Sequence, residues 1–166
     1  MILILKNNES LICDDFSFKC TIGEGGKSEN KKEGDKKTPK GTFSLGNLFY
    51  RADRKKKPET ALDCRIIKKK MGWCDDPNYK KEYNKLIKIK KKNKISLEKL
   101  FRKETNYDYL IPIHYNYKKP ITGRGSAIFI HLTKNYKKTL GCIALKENDF
   151  LILAKTINKN TKIKIC

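Results

Sequence analysis

Long apolar runs are missing from this chain of 166 residues, and histidine is scarce, with only two. The opening run, residues 1–6, is too short for a signal peptide and lacks a basic n-region and a cleavage site. No later run reaches membrane-spanning length. We therefore expect no transmembrane segment and interpret this run as the first strand of a soluble protein. With so few histidines and no C-x-x-C pair, we expect no metal site.

Arginine is also scarce, because it occurs five times and lysine supplies 34 of the 39 basic residues. The formal net charge of +21 reflects either a compositional bias or a basic surface that attracts anionic polymers, and the sequence leaves both open. Zinc-finger, RNP and helix-turn-helix patterns are absent. We therefore expect no specific nucleic-acid partner.

The six cysteines do not have the pattern of a disulfide framework. They stand at positions 13, 20, 64, 74, 142 and 166. If Cys142 must stay free for the chemistry described below, five remain, and an odd number cannot all pair. This favours a reducing compartment or a protein without structural disulfides. A pairing of Cys13 with Cys20 across a hairpin is the alternative.

Short apolar runs separated by polar turns predict a mainly β protein. The strands that we predict are residues 2–6, 16–22, 42–50, 108–117, 127–130 and 162–165. Apolar spacing from Glu147 to Ile157 predicts a C-terminal helix. A helical pattern also covers residues 78–104, with Ser96 as a candidate N-cap and a solvated lysine run from Lys88 to Lys94. We predict a single domain over residues 1–166, with a mainly β core, a helical insertion at about 78–104 and a C-terminal helix.

The pair of side chains best suited to chemistry lies within residues 123–145. His131 follows an apolar, strand-like run, and Cys142 comes 11 positions later in a small-residue turn. Two neighbouring strands joined by a short loop would bring imidazole and thiol within hydrogen-bond reach, as a Cys–His nucleophile requires. The alternative is a core histidine and an inert buried thiol. For His114, the second histidine, we expect a structural or cleft-lining role.

Gly141 directly precedes the cysteine. A residue without Cβ allows a sharp backbone turn, and such a turn would leave nearby amides free to point at a developing oxyanion. We assign Gly141 to this turn and to the oxyanion-binding backbone.

These residues resemble the active-site motif of the YkuD-type L,D-transpeptidases, in which a histidine is followed by [S/T]-x-G-C. Here that motif is Thr139-Leu140-Gly141-Cys142, and the resemblance is closest to the branch with G-x-G-S-A-I-F-x-H and T-x-G-C-x-A-L. Further stretches agree with this branch in the same order. They are residues 33–43, residues 72–77 with Tyr83-Asn84, and residues 107–109. The resemblance thus covers about residues 21–145.

The resemblance implies a fold and a reaction. The fold is a β-sandwich or partly open barrel with the cysteine at the mouth of a cleft. Cys142 is the implied nucleophile and His131 the general acid and base. The reaction forms a thioester with a cell-wall stem peptide, releases D-Ala from position four and passes the acyl group to an amine. No cofactor is needed. We expect a monomer that acts in the periplasm or cell envelope, although no signal peptide is visible and the cytoplasm is the alternative.

Four further residues are candidates for substrate binding, namely Arg124, Ser126, Thr139 and Trp73. An arginine can grip a peptide carboxylate bidentately, and Ser126 can order the surroundings of the histidine. Turn formation is the alternative role of both residues. Trp73, which precedes two aspartates, either lines the cleft or packs in the core while an aspartate starts a turn.

Two departures from the family pattern leave the acceptor open. Leu140 stands where many members have histidine or lysine, and Ile143-Ala144 follows the cysteine where many have arginine. This branch therefore handles substrate charge differently. The alternatives to a transpeptidase are a carboxypeptidase or amide hydrolase in wall-peptide recycling, and a basic protein that binds anionic wall polymer with an inert dyad.

Overall fold

A computed structural model describes residues 1–90 and 95–166 and shows ten strands in one sheet that curls into a half-barrel. The elements are β1 Ile2–Leu5, β2 Ser10–Cys13, β3 Phe16–Thr21, β4 Lys27–Ser28, β5 Thr38–Pro39, β6 Gly41–Ser44, β7 Leu48–Tyr50, β8 Cys64–Ile66, β9 Met71–Cys74, β10 Leu86–Lys88, β11 Leu97–Lys99, β12 Tyr109–Pro112, β13 Phe129–Leu132, β14 Ile143–Leu145, α1 Glu147–Thr156 and β15 Lys162–Ile165. The order in the large sheet is β6-β15-β1-β2-β3-β14-β13-β12-β7-β8. A smaller sheet has the order β10-β9-β11, and β4 pairs with β5.

The prediction of a mainly β protein is confirmed, because strands make up 35% of the chain and helix 6%. Of the two architectures that the resemblance implies, the structure adopts the partly open barrel. The predicted strand over residues 42–50 divides into β6 and β7, and the one over residues 108–117 shortens to β12. No helix within residues 1–90 and 95–166 has the length and apolar character that a bilayer crossing requires.

The first and last strands lie side by side in the sheet, and the last one has an alternating pattern of apolar and charged residues. β1 pairs in parallel with β15, whose alternating lysines and isoleucines place Ile163 and Ile165 in the core and both lysines in solvent. α1 covers this core with Phe150, Leu153 and Ala154. Burial of the Phe150 side chain stabilises the fold by about 1.5–3 kcal/mol. The predicted closing strand and C-terminal helix are confirmed.

The hairpin of β2 and β3 excludes the suggested pairing of Cys13 with Cys20. Asp14 makes the turn with a positive φ of 48°, which aspartate tolerates better than most residues. The resulting register places Cys13 opposite Phe16. The two thiols therefore do not face each other, and all six cysteines are free.

The predicted helical insertion at about 78–104 is wrong. Its described residues form turns and the strands β10 and β11, which pair with the two edges of β9. Ser96 is not a helix N-cap, because its N–H donates to Asp76 Oδ2 at 3.0 Å and a strand follows. Pairing with β9 has overridden a local helical pattern, as tertiary contacts commonly do. Residues 91–94 of the predicted lysine run lie outside the described residues.

Candidate active site

The parallel pairing of β13 with β14 brings the predicted histidine and cysteine to one face of the sheet. His131 lies opposite Ala144 in this register, and Cys142 stands two residues before Ala144. Since alternate residues of a strand share a face, the side chains of His131 and Cys142 are diagonal neighbours. Both line a cleft of about 740 Å³. The structure therefore brings both predicted residues to one cleft, and hydrogen-bond reach between imidazole and thiol stays a prediction.

His131 is a buried, neutral base with a fixed tautomer. Its Nδ1 lies 2.9 Å from the carbonyl oxygen of Leu132. Because a carbonyl only accepts, Nδ1 must carry the proton and donate it, which leaves the lone pair on Nε2. Burial, together with the positive charge of Arg102, lowers the pKa of His131 to about 4, against the opposing effect of the hydrogen bond to Leu132. The imidazole is therefore unprotonated and basic at neutral pH.

The Cys142 thiol is held by the backbone just before the histidine. Sγ donates to the carbonyl oxygen of Ala127 at 3.3 Å and accepts from the N–H of Phe129 at 3.3 Å. Burial raises the pKa of Cys142 to about 12, against the opposing effect of the Phe129 N–H. The resting pair is therefore a neutral thiol beside a neutral imidazole, and not a thiolate–imidazolium ion pair.

Asn84 supports the backbone that holds the thiol. This buried residue accepts hydrogen bonds at Oδ1 from the N–H of Ala127 at 3.1 Å and from Trp73 Nε1 at 2.8 Å. Its Nδ2 donates to the carbonyl oxygens of Tyr115 at 2.9 Å and Asn116 at 2.7 Å. All four hydrogen-bonding positions of the amide are thus used. Ala127 has a positive φ of 52°, an uncommon conformation for a non-glycine residue.

Gly141 makes the turn before the nucleophile, as predicted. Its φ is 141°, and a Cβ there would lie 2.9 Å from the carbonyl oxygen of Lys37. Its N–H, however, donates to Thr139 Oγ1 at 3.1 Å. Within residues 1–90 and 95–166 the Cys142 N–H has no hydrogen-bond acceptor. The Cys142 amide, rather than that of Gly141, is therefore the better candidate for holding an oxyanion.

Threonine side chains fix this turn from both sides. Thr38 Oγ1 donates to the carbonyl oxygen of Gly141 at 2.8 Å, and Thr139 Oγ1 donates to that of Cys142 at 2.6 Å. Thr139 does line the cleft, but its hydroxyl is used by the backbone. Its observed contacts support the turn rather than the predicted substrate contact.

Ser126 lines the cleft, and its contact with substrate stays a prediction. Its Oγ donates to Glu33 Oε2 at 2.8 Å, and Tyr83 donates to the same oxygen at 2.5 Å. Glu33 also lines the cleft. Ser126 thus orients a carboxylate that sequence reasoning had quoted only as part of a motif.

The structure does not bring the other two predicted substrate-binding residues to the cleft. Arg124 is exposed outside it, and the carbonyl oxygen of Arg124 accepts from Tyr115 in the surrounding loop. Trp73 is buried and packs edge-on against Phe129, with 5.2 Å between ring centroids. The alternative roles, turn formation for Arg124 and core packing for Trp73, agree with these positions. Asp76 forms the turn that the sequence suggested, by accepting from the N–H of Asn78.

Sequence reasoning missed several residues of the cleft wall. Arg102 pairs with Glu98, which also accepts from the hydroxyl of Tyr107 at 2.8 Å. The Tyr107 and His131 rings are in edge-to-face contact, with an interplanar angle of 65° and ring centroids 5.3 Å apart. Lys31 lines the cleft as well. Of these four residues, only Tyr107 carried a signal in the sequence, as part of the matching motif at residues 107–109.

His114 takes the structural role expected for it. Its Nδ1 lies 3.0 Å from Ser44 Oγ, and its ring stacks on that of Tyr117 with 4.1 Å between centroids. In the described part of the chain, no three His, Cys, Asp or Glu side chains are grouped so that they could hold a metal ion. That the protein needs no cofactor stays a prediction.

The fold and the site together define a β half-barrel with a cysteine and a histidine in one cleft. The sequence matches the family model of the YkuD L,D-transpeptidase catalytic domain over residues 2–165. The chain therefore belongs to this family, which confirms the resemblance. No curated protein and no solved structure matches the chain. The family implies cysteine-dependent L,D-transpeptidase function in peptidoglycan, with peptidoglycan peptides as substrates.

Proposed function

We propose that this protein transfers acyl groups between peptidoglycan stem peptides through a thioester on Cys142. The observation that carries the proposal is the position of Cys142 and His131 on one face of two paired strands, with Nε2 of the histidine free to accept a proton. The donor bond joins a diamino acid at position three to D-Ala at position four.

The first half of the reaction forms the thioester. Nε2 of His131 takes the thiol proton as Sγ attacks the donor carbonyl carbon, and the N–H of Cys142 donates to the oxyanion. Oxyanion donors of this kind contribute about 2.7–4 kcal/mol in other enzymes. The C–N bond then breaks, and the imidazolium gives its proton to the amine of the departing D-Ala. The acyl group stays on sulfur.

The second half reverses these roles. Nε2 accepts a proton from the incoming amine as the amine attacks the thioester carbon, and the C–S bond breaks with its electron pair on sulfur. The imidazolium then returns a proton to the thiolate. Water in place of the amine would give a shortened peptide.

The pKa values of the pair indicate when the proton moves. With the thiol at about 12 and the imidazole at about 4, a free thiolate is a minor species before attack. Proton transfer must therefore accompany formation of the C–S bond, which is general-base catalysis. An inert dyad in a polymer-binding protein would need no Nε2 lone pair free to accept a proton.

Carboxylates in the cleft wall support a substrate with an amino group. Glu33 and Asp75 line the cleft, as do five basic side chains, those of Lys31, Arg102, Lys134, Lys137 and Lys138. A carboxylate suits the ammonium of a diamino acid or of an amine acceptor. We also propose that the protein acts as a monomer in the periplasm or cell envelope, where such peptides are cross-linked, with recycling in the cytoplasm as the alternative.

The test is mass spectrometry of purified tetrapeptide muropeptides after incubation with the protein, with and without an added D-amino acid. Loss of D-Ala with incorporation of the added amine is expected for the wild type and for Cys166→Ala, which removes an exposed thiol. Cys142→Ala should show neither. Loss of D-Ala without incorporation would point to the hydrolase, and unchanged substrate would contradict the proposal.

A further inference from the structure

Lys31 is a buried lysine in the cleft wall, and no part of the reaction above uses it. Its side chain is 3% exposed, and its Nζ pairs with Asp35 Oδ1 at 2.7 Å. Lysine is almost never buried without such a partner. The same residue lines the cleft that holds Cys142. A buried cation therefore lies in the cleft of the nucleophile.

Gly125 makes room for this side chain, and Gly141 lies close to its ammonium. A Cβ at Gly125 would lie 2.8 Å from Cε and 3.2 Å from Cδ of Lys31. A Cβ at Gly141 would lie 3.6 Å from Lys31 Nζ. Gly141 is bonded to Cys142, so the ammonium lies beside the backbone that carries the nucleophile.

Asp35 fixes the ammonium in place. Its Oδ2 accepts from the N–H of Lys32 at 2.8 Å, and its Oδ1 accepts from the N–H of Lys37 at 2.9 Å. The carboxylate is thus anchored to its own loop before it binds Lys31. A charge that is held in this way needs no rearrangement when the reaction starts.

We propose that Lys31 stabilises the thiolate of Cys142 as the thiol proton leaves for His131. This role rests on the proposed function, because it takes Cys142 as the nucleophile. In the transfer, Nε2 of His131 gains the proton, the electron pair of the S–H bond stays on sulfur, and Lys31 keeps its own proton.

The other charged groups near the thiol do not supply this charge. Glu98 raises the pKa of Cys142 more than Arg102, its ion-pair partner, lowers it, so this pair as a whole opposes the thiolate. Arg102 also lowers the pKa of His131 and disfavours the imidazolium. Lys31 lowers the pKa of Cys142, and the uncharged Tyr107 completes the surroundings. Lys31 is therefore the cation that favours a thiolate.

The test measures the alkylation rate of Cys142 by iodoacetamide at pH 8.5, followed by mass spectrometry of the peptide that contains it. Since the thiol titrates well above this pH, the rate is proportional to the thiolate fraction. Lys31 lowers the pKa of Cys142, and its ammonium lies beside Gly141. Loss of a nearby positive charge disfavours a thiolate, so we expect Lys31→Met to slow alkylation several-fold. Lys55→Met, which removes the partner of Glu147 outside the cleft, should leave the rate unchanged.

Asp35→Asn supplies a second, opposite readout. It removes the negative charge that offsets Lys31, so the alkylation of Cys142 should become several times faster. A merely structural role of the ion pair would shift both variants in the same direction. That result, or equal rates in wild type and Asp35→Asn, would overturn the proposal even if Lys31→Met does not fold.

Alkylation requires no substrate, so the two proposals can fail separately. Opposite rate shifts without turnover of muropeptides would retain the role of Lys31 and refute the transpeptidase reaction. Turnover of muropeptides, with alkylation rates unchanged by Lys31→Met and Asp35→Asn, would retain the transpeptidase reaction and refute the role of Lys31.

Discussion

The thiol of Cys142 donates to the carbonyl oxygen of Ala127 at 3.3 Å. The N–H of that alanine donates in turn to Asn84, a residue 43 positions earlier in the chain. The nucleophile at rest is therefore held by a backbone segment, and that segment is held by a buried side chain from another part of the fold. In the proposed reaction, this hydrogen bond to Ala127 breaks when the proton moves to His131.

Asn84→Ala should impair the reaction and also destabilise the protein. The variant leaves the N–H of Ala127 and Trp73 Nε1 without their acceptor, at a cost of about 2–3 kcal/mol in the free energy of unfolding. Because Ala127 positions the thiol, kcat should fall by more than KM rises. Denaturant unfolding and steady-state kinetics measure the two effects.

Trp73→Phe is the matched control for Asn84. It removes the other hydrogen bond to the same oxygen and leaves the contact with Ala127. Its kcat should stay close to that of the wild type at temperatures where it is folded. Equal losses of kcat in both variants would show that Asn84 acts only through stability.

His131 should make the protein less stable as the pH falls from about 6.5 to about 4. The folded pKa is lowered to about 4 from an ordinary value of 6.5, so in this window the unfolded chain binds a proton that the folded one does not. Above pH 6.5, the pKa of histidine in the unfolded chain, neutral His131 makes its full contribution to the free energy of unfolding. By pH 4 most of it, about 3 kcal/mol in total, should be lost.

The measurement for His131 is the unfolding free energy of wild type and His131→Gln across this pH range. Carboxyl groups titrate in both proteins, so the difference between the two curves isolates the histidine. The free energy of unfolding of the wild type should rise relative to that of His131→Gln as the pH increases. Parallel curves would contradict a buried, neutral imidazole.

Arg54 should stabilise the loop that carries Arg102 and Tyr107 into the cleft. Its Nε donates to Asp108 Oδ1 at 2.6 Å, and the Asp108 side chain is 1% exposed. Arg54→Gln leaves a buried carboxylate without its cation, so we expect a loss of about 3 kcal/mol in denaturant unfolding.

Lys155→Gln provides the comparison for Arg54. It breaks an ion pair with Glu59 in which both side chains are largely exposed, and such pairs contribute little. No measurable change is expected. If Arg54→Gln were equally harmless, the ion pair with Asp108 would not support the loop.

Cys142 should react slowly with iodoacetamide in the folded protein at pH 8. Its pKa of about 12 leaves about one thiol in ten thousand ionised. The exposed Cys166 should therefore be alkylated first. In denaturant the two should react at similar rates. Faster labelling of Cys142 in the folded protein would indicate a resting thiolate and contradict a neutral pair.

The site was predictable where local sequence carries the chemistry. His131 and Cys142 each adjoin an apolar run, and parallel pairing of those runs places both in the cleft. Lys31 was not predictable, because nothing in the sequence distinguishes it from the other lysines. Its position in the cleft depends on the space that Gly125 leaves in three dimensions.

The fold, like the site, was predictable only where the signal lies in the local sequence. The alternating pattern of β15 and the apolar spacing of α1 are local, and both predictions are confirmed. The strands β10 and β11 exist because β9 lies between them, which a local helical pattern cannot reveal. That the chain forms one domain over residues 1–166 stays a prediction.

The most direct test of the account is the mass of the intact protein after brief incubation with tetrapeptide muropeptide and an acid quench. We predict an acyl adduct on Cys142 in the wild type, equal to the substrate minus D-Ala. His131→Gln should form it far more slowly, and Cys142→Ala should not form it. Turnover of the muropeptide by Cys142→Ala, or an adduct on another cysteine, would contradict the thioester mechanism.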